Sequence, residues 1–275
     1  MSSGSESRRR ASSDGREPLD AVALAADVVG PPGPWRSLAV VASTGSTNQD
    51  LAESARSGAE TGTVLVAEEQ SDGRGRLGRT WQSPRGAGLT FSCLVRPNSQ
   101  NAGWGWLPLL AGMATAEALA AETGLDVRLK WPKDLLAGER KLGGLLAERV
   151  GTAVVVGVGV NVTTTPDELP VPSATSVVTA GGRPGNRAAL LRAVLHRIGA
   201  RYQAWDAAGG DPSLPAQYVA RCSTIGREVR AELGGAGAGR ALIGTATGVD
   251  AAGCLLIDGP DGVEAVSAAD IVHLR

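Results

Sequence analysis

Apolar residues along this chain fall into two kinds of run. The first is short and unbroken, as in Thr63 to Ala67, Leu89 to Val95 and Ala153 to Val162. Runs of that length, bounded by turn residues and rich in Val, predict strands, and the longest of them a central strand buried on both faces. Leu38 to Ala42, Val127 to Trp131 and Leu142 to Glu148 are further strand candidates, the last entered through a tight turn at Gly138 to Arg140. The second kind is helical. Leu191, Val194, Leu195, Ile198, Tyr202 and Trp205 recur at helical spacing and predict a core helix, not a cofactor box. Leu107 to Glu122 carries few charges and predicts a buried helix, and Leu19 to Val29 a short one ending before Pro31-Pro32-Gly33-Pro34. A further short helix is expected after Ser46, with Thr47 as N-cap, Asp50 in the first turn and Gly58 at its end.

Near Thr224 the period changes. Val229, Ala231 and Leu233 alternate with Arg230 and Glu232, the pattern of a half-buried strand. Four more short apolar runs follow, at Ala241 to Thr247, Cys254 to Ile257, Val263 to Val266 and Ile271 to Leu274, separated by Gly- and Asp-rich breaks. The expected organisation is a tail over residues 1–20, a mixed α/β domain over 21–223, and a small barrel over 224–275. Gly234 to Gly239 is expected to be a hairpin tip without function.

Composition narrows the class. A chain of 275 residues with a formal net charge of −1 has room for a large core and is no whole-surface nucleic-acid binder. Cys93, Cys222 and Cys254 lie far apart, which fits reduced thiols in a cytoplasmic protein better than a disulfide framework. With only His196 and His273, a site with several histidine ligands is excluded, and neither residue sits in a catalytic motif. No apolar run approaches the ~20 residues of a membrane span. The Ser- and Arg-rich start lacks the apolar segment of a signal peptide and is expected to be disordered.

The densest chemistry lies in Gly73-Arg74-Gly75-Arg76-Leu77-Gly78-Arg79, three glycines and three cations in seven residues. Glycine permits close backbone approach, and arginine offers planar donors to phosphate or carboxylate. A dinucleotide fold needs a helix directly after such a loop; Thr80 to Gly88 is too rich in Pro and Gly to supply one. No kinase catalytic element or phosphate-loop lysine motif accompanies it.

Further segments belong with the loop. Ser46-Thr47-Asn48 stands at a helix N-terminus, Gln70 just before the loop, Lys130-Trp131-Pro132-Lys133-Asp134 and Lys141-Leu142-Gly143-Gly144 around a turn, and Gly157-Val158-Gly159-Val160-Asn161 on a buried strand. Each alone has a plain reading as a cap, a surface amide, a turn or a bulged strand. Their joint occurrence in this order does not.

From about Leu38 to the C-terminus the sequence resembles the biotin protein ligases, which show S-T-N, Q-x-x-G-R-G-R-x-G-R-x-W, K-W-P-N-D, R-K-L-x-G and G-x-G-x-N. The resemblance implies an α+β fold: a mixed-sheet catalytic domain like the class II aminoacyl-tRNA synthetase and biotin ligase cores, plus a C-terminal SH3-like barrel. It implies ATP-dependent formation of biotinyl-5′-AMP and transfer of biotin to a lysine of a biotin carboxyl carrier domain of an acyl-CoA carboxylase. ATP, biotin and Mg²⁺ on the phosphates are the expected ligands, with no metal-ligating residue assigned. Lys141 is the expected catalytic cation between the biotin carboxylate and the α-phosphate. Ser46, Thr47, Asn48 and Gln70 are expected on the biotin rings, and Gly73, Arg74, Gly75 and Arg76 over the intermediate. Trp81, Gly144 and Asn161 complete the expected site, Trp81 and Asn161 near the adenosine, and Asp134 is expected to orient Lys141 or the incoming lysine.

Lys133 departs from the family by standing where Asn is usual. Little chain precedes the first motif, so a winged helix-turn-helix domain is not expected, nor operator-specific DNA binding or a membrane partner. No residue pattern sets an oligomeric state. Two other functions compete: a lipoate-protein ligase, which shares fold and chemistry, and a non-catalytic RNA-binding module using the Arg-Gly loop. The loop sequence and the C-terminal barrel favour biotin over lipoate. The flanking buried strands and the single nearby aromatic, Trp81, count against RNA.

Overall fold

A computed structural model describes residues 16–75, 80–81, 83–98, 103–233 and 239–274, Arg74 by its backbone only. Arg76, among the expected site residues, lies outside the described residues, as does most of the expected hairpin tip at 234–238. The seven-stranded main sheet runs in the order β1-β2-β5-β9-β8-β7-β6. Its strands are β1 (Ser37–Val41), β2 (Thr63–Ala67), β5 (Gly88–Val95), β6 (Val127–Lys130), β7 (Asp134–Ala137), β8 (Arg140–Val150) and β9 (Ala153–Asn161). Only β1 and β2 pair in parallel; every other neighbour is antiparallel, so the sheet is mixed as expected. A two-stranded ribbon, β3 (Gly73–Arg74) and β4 (Thr80–Trp81), carries the two ends of the glycine–arginine loop.

Strand alternation divides β9 between two environments. Val154, Val156, Val158 and Val160 join the main core with α3 (Trp106–Thr123) and α4 (Arg187–Ala207). Ala153 and Val155 face the other way, against Leu51, Ala52 and Ala55 of α2 (Thr47–Arg56). Gly157, Gly159 and Asn161 continue that second row. The site therefore opens on the α2 side of the sheet, where two glycines remove the side chains that would fill it.

Helix starts follow short polar caps. Asp20 accepts from the Val22 and Ala23 amides to start α1 (Ala21–Val28), and Asn186 does the same for α4. In α2 the cap is Ser46, not the expected Thr47. The Thr47 hydroxyl is engaged elsewhere, on Gln70 and Ser92. Gly58, at φ +91°, follows the helix in the left-handed conformation that glycine takes without strain. Strand β7 and helix α5 (Leu214–Arg221) were not legible in advance: β7 is only four residues long, and α5 is short.

The C-terminal part forms a five-stranded antiparallel sheet of β10 (Glu228–Leu233), β11 (Ala241–Val249), β12 (Leu255–Gly259), β13 (Gly262–Val266) and β14 (Ala269–His273), in the order β13-β12-β11-β10-β14. It docks on the catalytic part through two indoles. Trp106 Nε1 donates to the Ala251 carbonyl at 2.8 Å and Trp131 Nε1 to the Gly253 carbonyl at 3.1 Å. Beside them the buried Thr224 hydroxyl meets the Trp131 amide at 3.2 Å and His273 Nε2 at 3.1 Å.

Burial, then the neighbouring Lys130 and Arg227 cations, hold the His273 ring near pKa 4, against a weaker opposing pull from Glu139. The sign follows from linkage: the unfolded chain binds a proton that the native ring refuses, so stability falls as pH drops from about 6.5 to about 4. Solvent screening of a half-buried ring leaves a loss on the order of 1–2 kcal/mol. Thermal melts of the parent and of His273→Gln at pH 7 and pH 5 test this. The fall in Tm between the two pH values should be smaller in the variant, and equal falls would clear His273 of the effect.

Candidate functional site

The site is an open cleft of about 690 Å³, counting space open to solvent, lined by α2, β4, β5, the Lys133–Asp134 turn, β8 and β9. Ser46, Thr47, Asn48, Gln70, Gly75, Trp81, Lys141 and Gly144 all line it, so segments spread over nearly a hundred residues meet at one place. Lys133, Asp134, Thr80 and Thr90 line it as well.

One wall is built of uncharged polar side chains joined by hydrogen bonds. Gln70 Oε1 accepts from the Thr47 amide at 2.8 Å and the Thr47 hydroxyl at 3.0 Å. The Thr47 hydroxyl lies 2.8 Å from Ser92 Oγ, which donates to Asn48 Oδ1 at 2.6 Å. Asn48 Nδ2 in turn donates to Glu148 Oε2 at 2.8 Å and the Leu146 carbonyl at 3.2 Å. Buried polar groups must be paired, and here the pairing fixes the rotamers of four side chains. Ser92 and Glu148 were missed in the sequence. The available signal was Ser92 itself, a hydroxyl inside the apolar run Leu89 to Val95, directly across the ladder from Gly157.

The glycines have specific duties. A Cβ at Gly157 would lie 2.1 Å from Asn48 Oδ1, and one at Gly159 2.5 Å from Trp81 Cε2. Gly159 thus makes room for the Trp81 indole against the sheet, with its buried Nε1–H unpartnered among the described residues. A Cβ at Gly73 would meet the Trp81 carbonyl at 2.4 Å and Gln70 Nε2 at 2.7 Å. Gly73 thus lets the loop start between Gln70 and Trp81 without lining the cleft.

The opposite wall is charged. Lys141 Nζ and Asp134 Oδ1 form an ion pair at 2.7 Å, and both side chains remain in part open to solvent. Gly144 keeps that pair clear, because a Cβ there would sit 3.4 Å from Lys141 Nζ. The Lys141 backbone is pinned by a register irregularity against β7 and by a bridge to Ala174. Its amide donates to the Ser173 carbonyl and its carbonyl accepts from the Thr175 amide, both at 2.8 Å. Asn161 is not among the lining residues. It is buried, and its Nδ2 donates to the Thr175 carbonyl at 3.0 Å, so in this structure it braces the segment that holds Lys141.

The sequence is 43% identical over 269 residues to the biotin–[acetyl-CoA-carboxylase] ligase of Mycobacterium tuberculosis, an alignment that covers 94% of this chain and 97% of that one. The chain belongs to the biotin protein ligase family. The family model for the biotin/lipoate A/B protein ligases matches residues 40–163, and that for the biotin protein ligase C-terminal domain matches residues 224–274. The bifunctional ligase/repressor BirA of Bacillus subtilis is 32% identical across 82% of this chain and 70% of its own length. Among solved structures, the Aquifex aeolicus biotin protein ligase in complex with biotin and ATP matches with a TM-score of 0.74 at 29% identity, over 88% of this chain and 100% of that one. The mixed catalytic sheet and the C-terminal antiparallel sheet are thus the fold of this ligase family. An RNA-binding module is no longer a competing account.

Proposed function

We propose that this chain is an ATP-dependent ligase that activates biotin as biotinyl-5′-AMP and transfers it to a lysine of a biotin carboxyl carrier domain. The observation that carries the reading is the pairing of two unlike walls in one cleft. A neutral donor and acceptor network from Thr47, Asn48, Gln70 and Ser92 suits an uncharged ureido ring. Across from it, the Lys141–Asp134 pair offers a cation where a carboxylate and a phosphate must approach each other.

In the first step a biotin carboxylate oxygen attacks the α-phosphorus of ATP, the bond to the bridging oxygen breaks and pyrophosphate leaves. Two anions must be brought together, and Lys141 is the cation assigned between them. When phosphate oxygens take up the Lys141 ammonium, the Asp134 carboxylate is released from its partner. In the second step a neutral acceptor amine attacks the acyl carbon, AMP departs, and Asp134 is the group assigned to orient that amine and take the proton it must lose. Trp81, lying on Gly159, offers an aromatic face for the adenine, and Gly75, Arg74 and Arg76 are assigned to closing over the anhydride. Asn161 serves that site through Thr175.

Among the described residues no three His, Cys, Asp or Glu side chains gather as a metal cage. Mg²⁺ would arrive with the triphosphate and there neutralise phosphate charge. No helix among the described residues is long and apolar enough to cross a membrane. A cytoplasmic location is part of the proposal and rests on three free cysteines.

Exchange of labelled pyrophosphate into ATP tests the reading. It should depend on biotin, and a separate incubation with labelled biotin, ATP and an apo carrier domain should place the biotin label on one lysine. Exchange driven by lipoate and not by biotin would establish the lipoate reading instead. No exchange with either acid would remove the ligase assignment.

A further inference from the structure

We propose that Arg16 is a positioning residue of this site, strapping the turn that leads to Lys141 onto the root of the glycine–arginine loop. Its role in catalysis rests on the ligase reading above. Arg16 lies outside the motifs. Its guanidinium grips Glu168 with both nitrogens, Nη1 to Oε1 at 3.0 Å and Nη2 to Oε2 at 2.7 Å, and Nη2 also donates to the Thr163 carbonyl at 3.2 Å. With side chains 14% and 27% exposed, this is not a solvated surface pair. The two-pronged geometry is the strong form of an arginine–carboxylate contact. It holds the Glu168 carboxyl near pKa 2.

On its other side the Arg16 Cβ packs against Gly86, where an added Cβ would be 3.1 Å away. Gly86 and Ala87 are the return of the loop into β5. The Gly86 amide donates to the Glu68 carbonyl, and the Ala87 carbonyl accepts from the Thr163 amide at 2.8 Å. The next residues of the N-terminal segment are fastened too. The Leu19 amide donates to Glu68 Oε1 at 2.6 Å, and Arg187 donates to the Glu17 carbonyl at 3.0 Å while pairing with Glu68 Oε2 at 2.6 Å.

The strap thus joins two walls. One runs from Thr163 and Glu168 to Ser173 and Thr175, whose backbone groups hold Lys141. The other runs from Gly86 back to Trp81. One wall backs Lys141 and the other leads to Trp81, both of which line the cleft where a reactive acyl adenylate must be kept from water, so slack in either opens the site after activation.

Arg16→Ala, Glu168→Ala and the double variant test the proposal. In substrate-free protein, hydrogen exchange at the Lys141 and Thr175 amides should quicken roughly tenfold in each, the scale of one charge-assisted contact after solvent discount. With biotin and ATP, labelling of serum albumin by escaped adenylate, taken relative to pyrophosphate exchange by the same variant, should rise by about the same factor. The double variant should lose less than the sum of the single ones, because the Arg16–Glu168 contact is lost in both. Unchanged amide exchange, unchanged albumin labelling in an active variant, or additive single effects would each overturn the strap. A parent protein lacking biotin-dependent exchange would sink the ligase reading alone, since amide exchange still decides whether Arg16 holds Lys141.

Discussion

Lys141→Ala is expected to abolish most biotin-dependent pyrophosphate exchange, by about 10²-fold or more, while the protein melts as the parent does. The expectation follows from where the ammonium sits. Its partner Asp134 is on the neighbouring strand at 2.7 Å, and the pair remains partly open to solvent, so the contact adds little to folding. What the side chain supplies is charge at the point where carboxylate and α-phosphate meet. Truncation also leaves Asp134 without its cation, facing two anionic substrates, which deepens the loss. Lys141→Arg keeps the charge but spreads it over a planar fork in place of a compact ammonium. It should therefore recover only part of the rate. Single-turnover formation of the adenylate, measured beside a thermal melt, checks both halves of the statement. Near-normal adenylate formation by folded Lys141→Ala would remove Lys141 from the chemistry.

The strands, the two long helices and the change of period near Thr224 were legible because each is long or repeats cleanly. The site was legible as a set of motifs, and the cleft does gather Ser46, Thr47, Asn48, Gln70, Gly75, Trp81, Lys141 and Gly144. What the sequence could not convey was the role of each member within that set. Thr47 looks like a helix cap, yet its hydroxyl is drawn away by Gln70 and Ser92, and Ser46 caps instead. Asn161 looks like a ligand-facing amide, yet it is buried against Thr175. Both depend on partners far away in the chain, Ser92 and Thr175, which no local pattern announces. Arg16 was hidden for the same reason: one arginine beside an Arg- and Ser-rich tail carries no periodicity, and its partner Glu168 lies far along the chain.

Gly157→Ala is expected to damage biotin binding more than its single added methyl group suggests. The new Cβ would stand 2.1 Å from Asn48 Oδ1 and 2.9 Å from Asn48 Cγ, so Asn48 has to move. It cannot move cheaply. Its carboxamide accepts from Ser92 and donates to Glu148 and the Leu146 carbonyl, and it is almost fully buried. Breaking even one of those buried contacts costs about 1–3 kcal/mol, and overpacking the strand adds a cost of similar size. The disturbance also passes to Ser92 and Thr47, the same groups assigned to the ureido ring. KM for biotin should rise by about tenfold or more, with a smaller change in KM for ATP, because the ATP-facing wall at Lys141 is not displaced. Asn48→Ala supplies the control. With the carboxamide gone, the methyl at position 157 has space, so adding Gly157→Ala to Asn48→Ala should cost little further. Titration calorimetry of biotin binding to the four proteins measures this directly. Independent, additive losses from the two substitutions would show that Gly157 is not there to make room for Asn48.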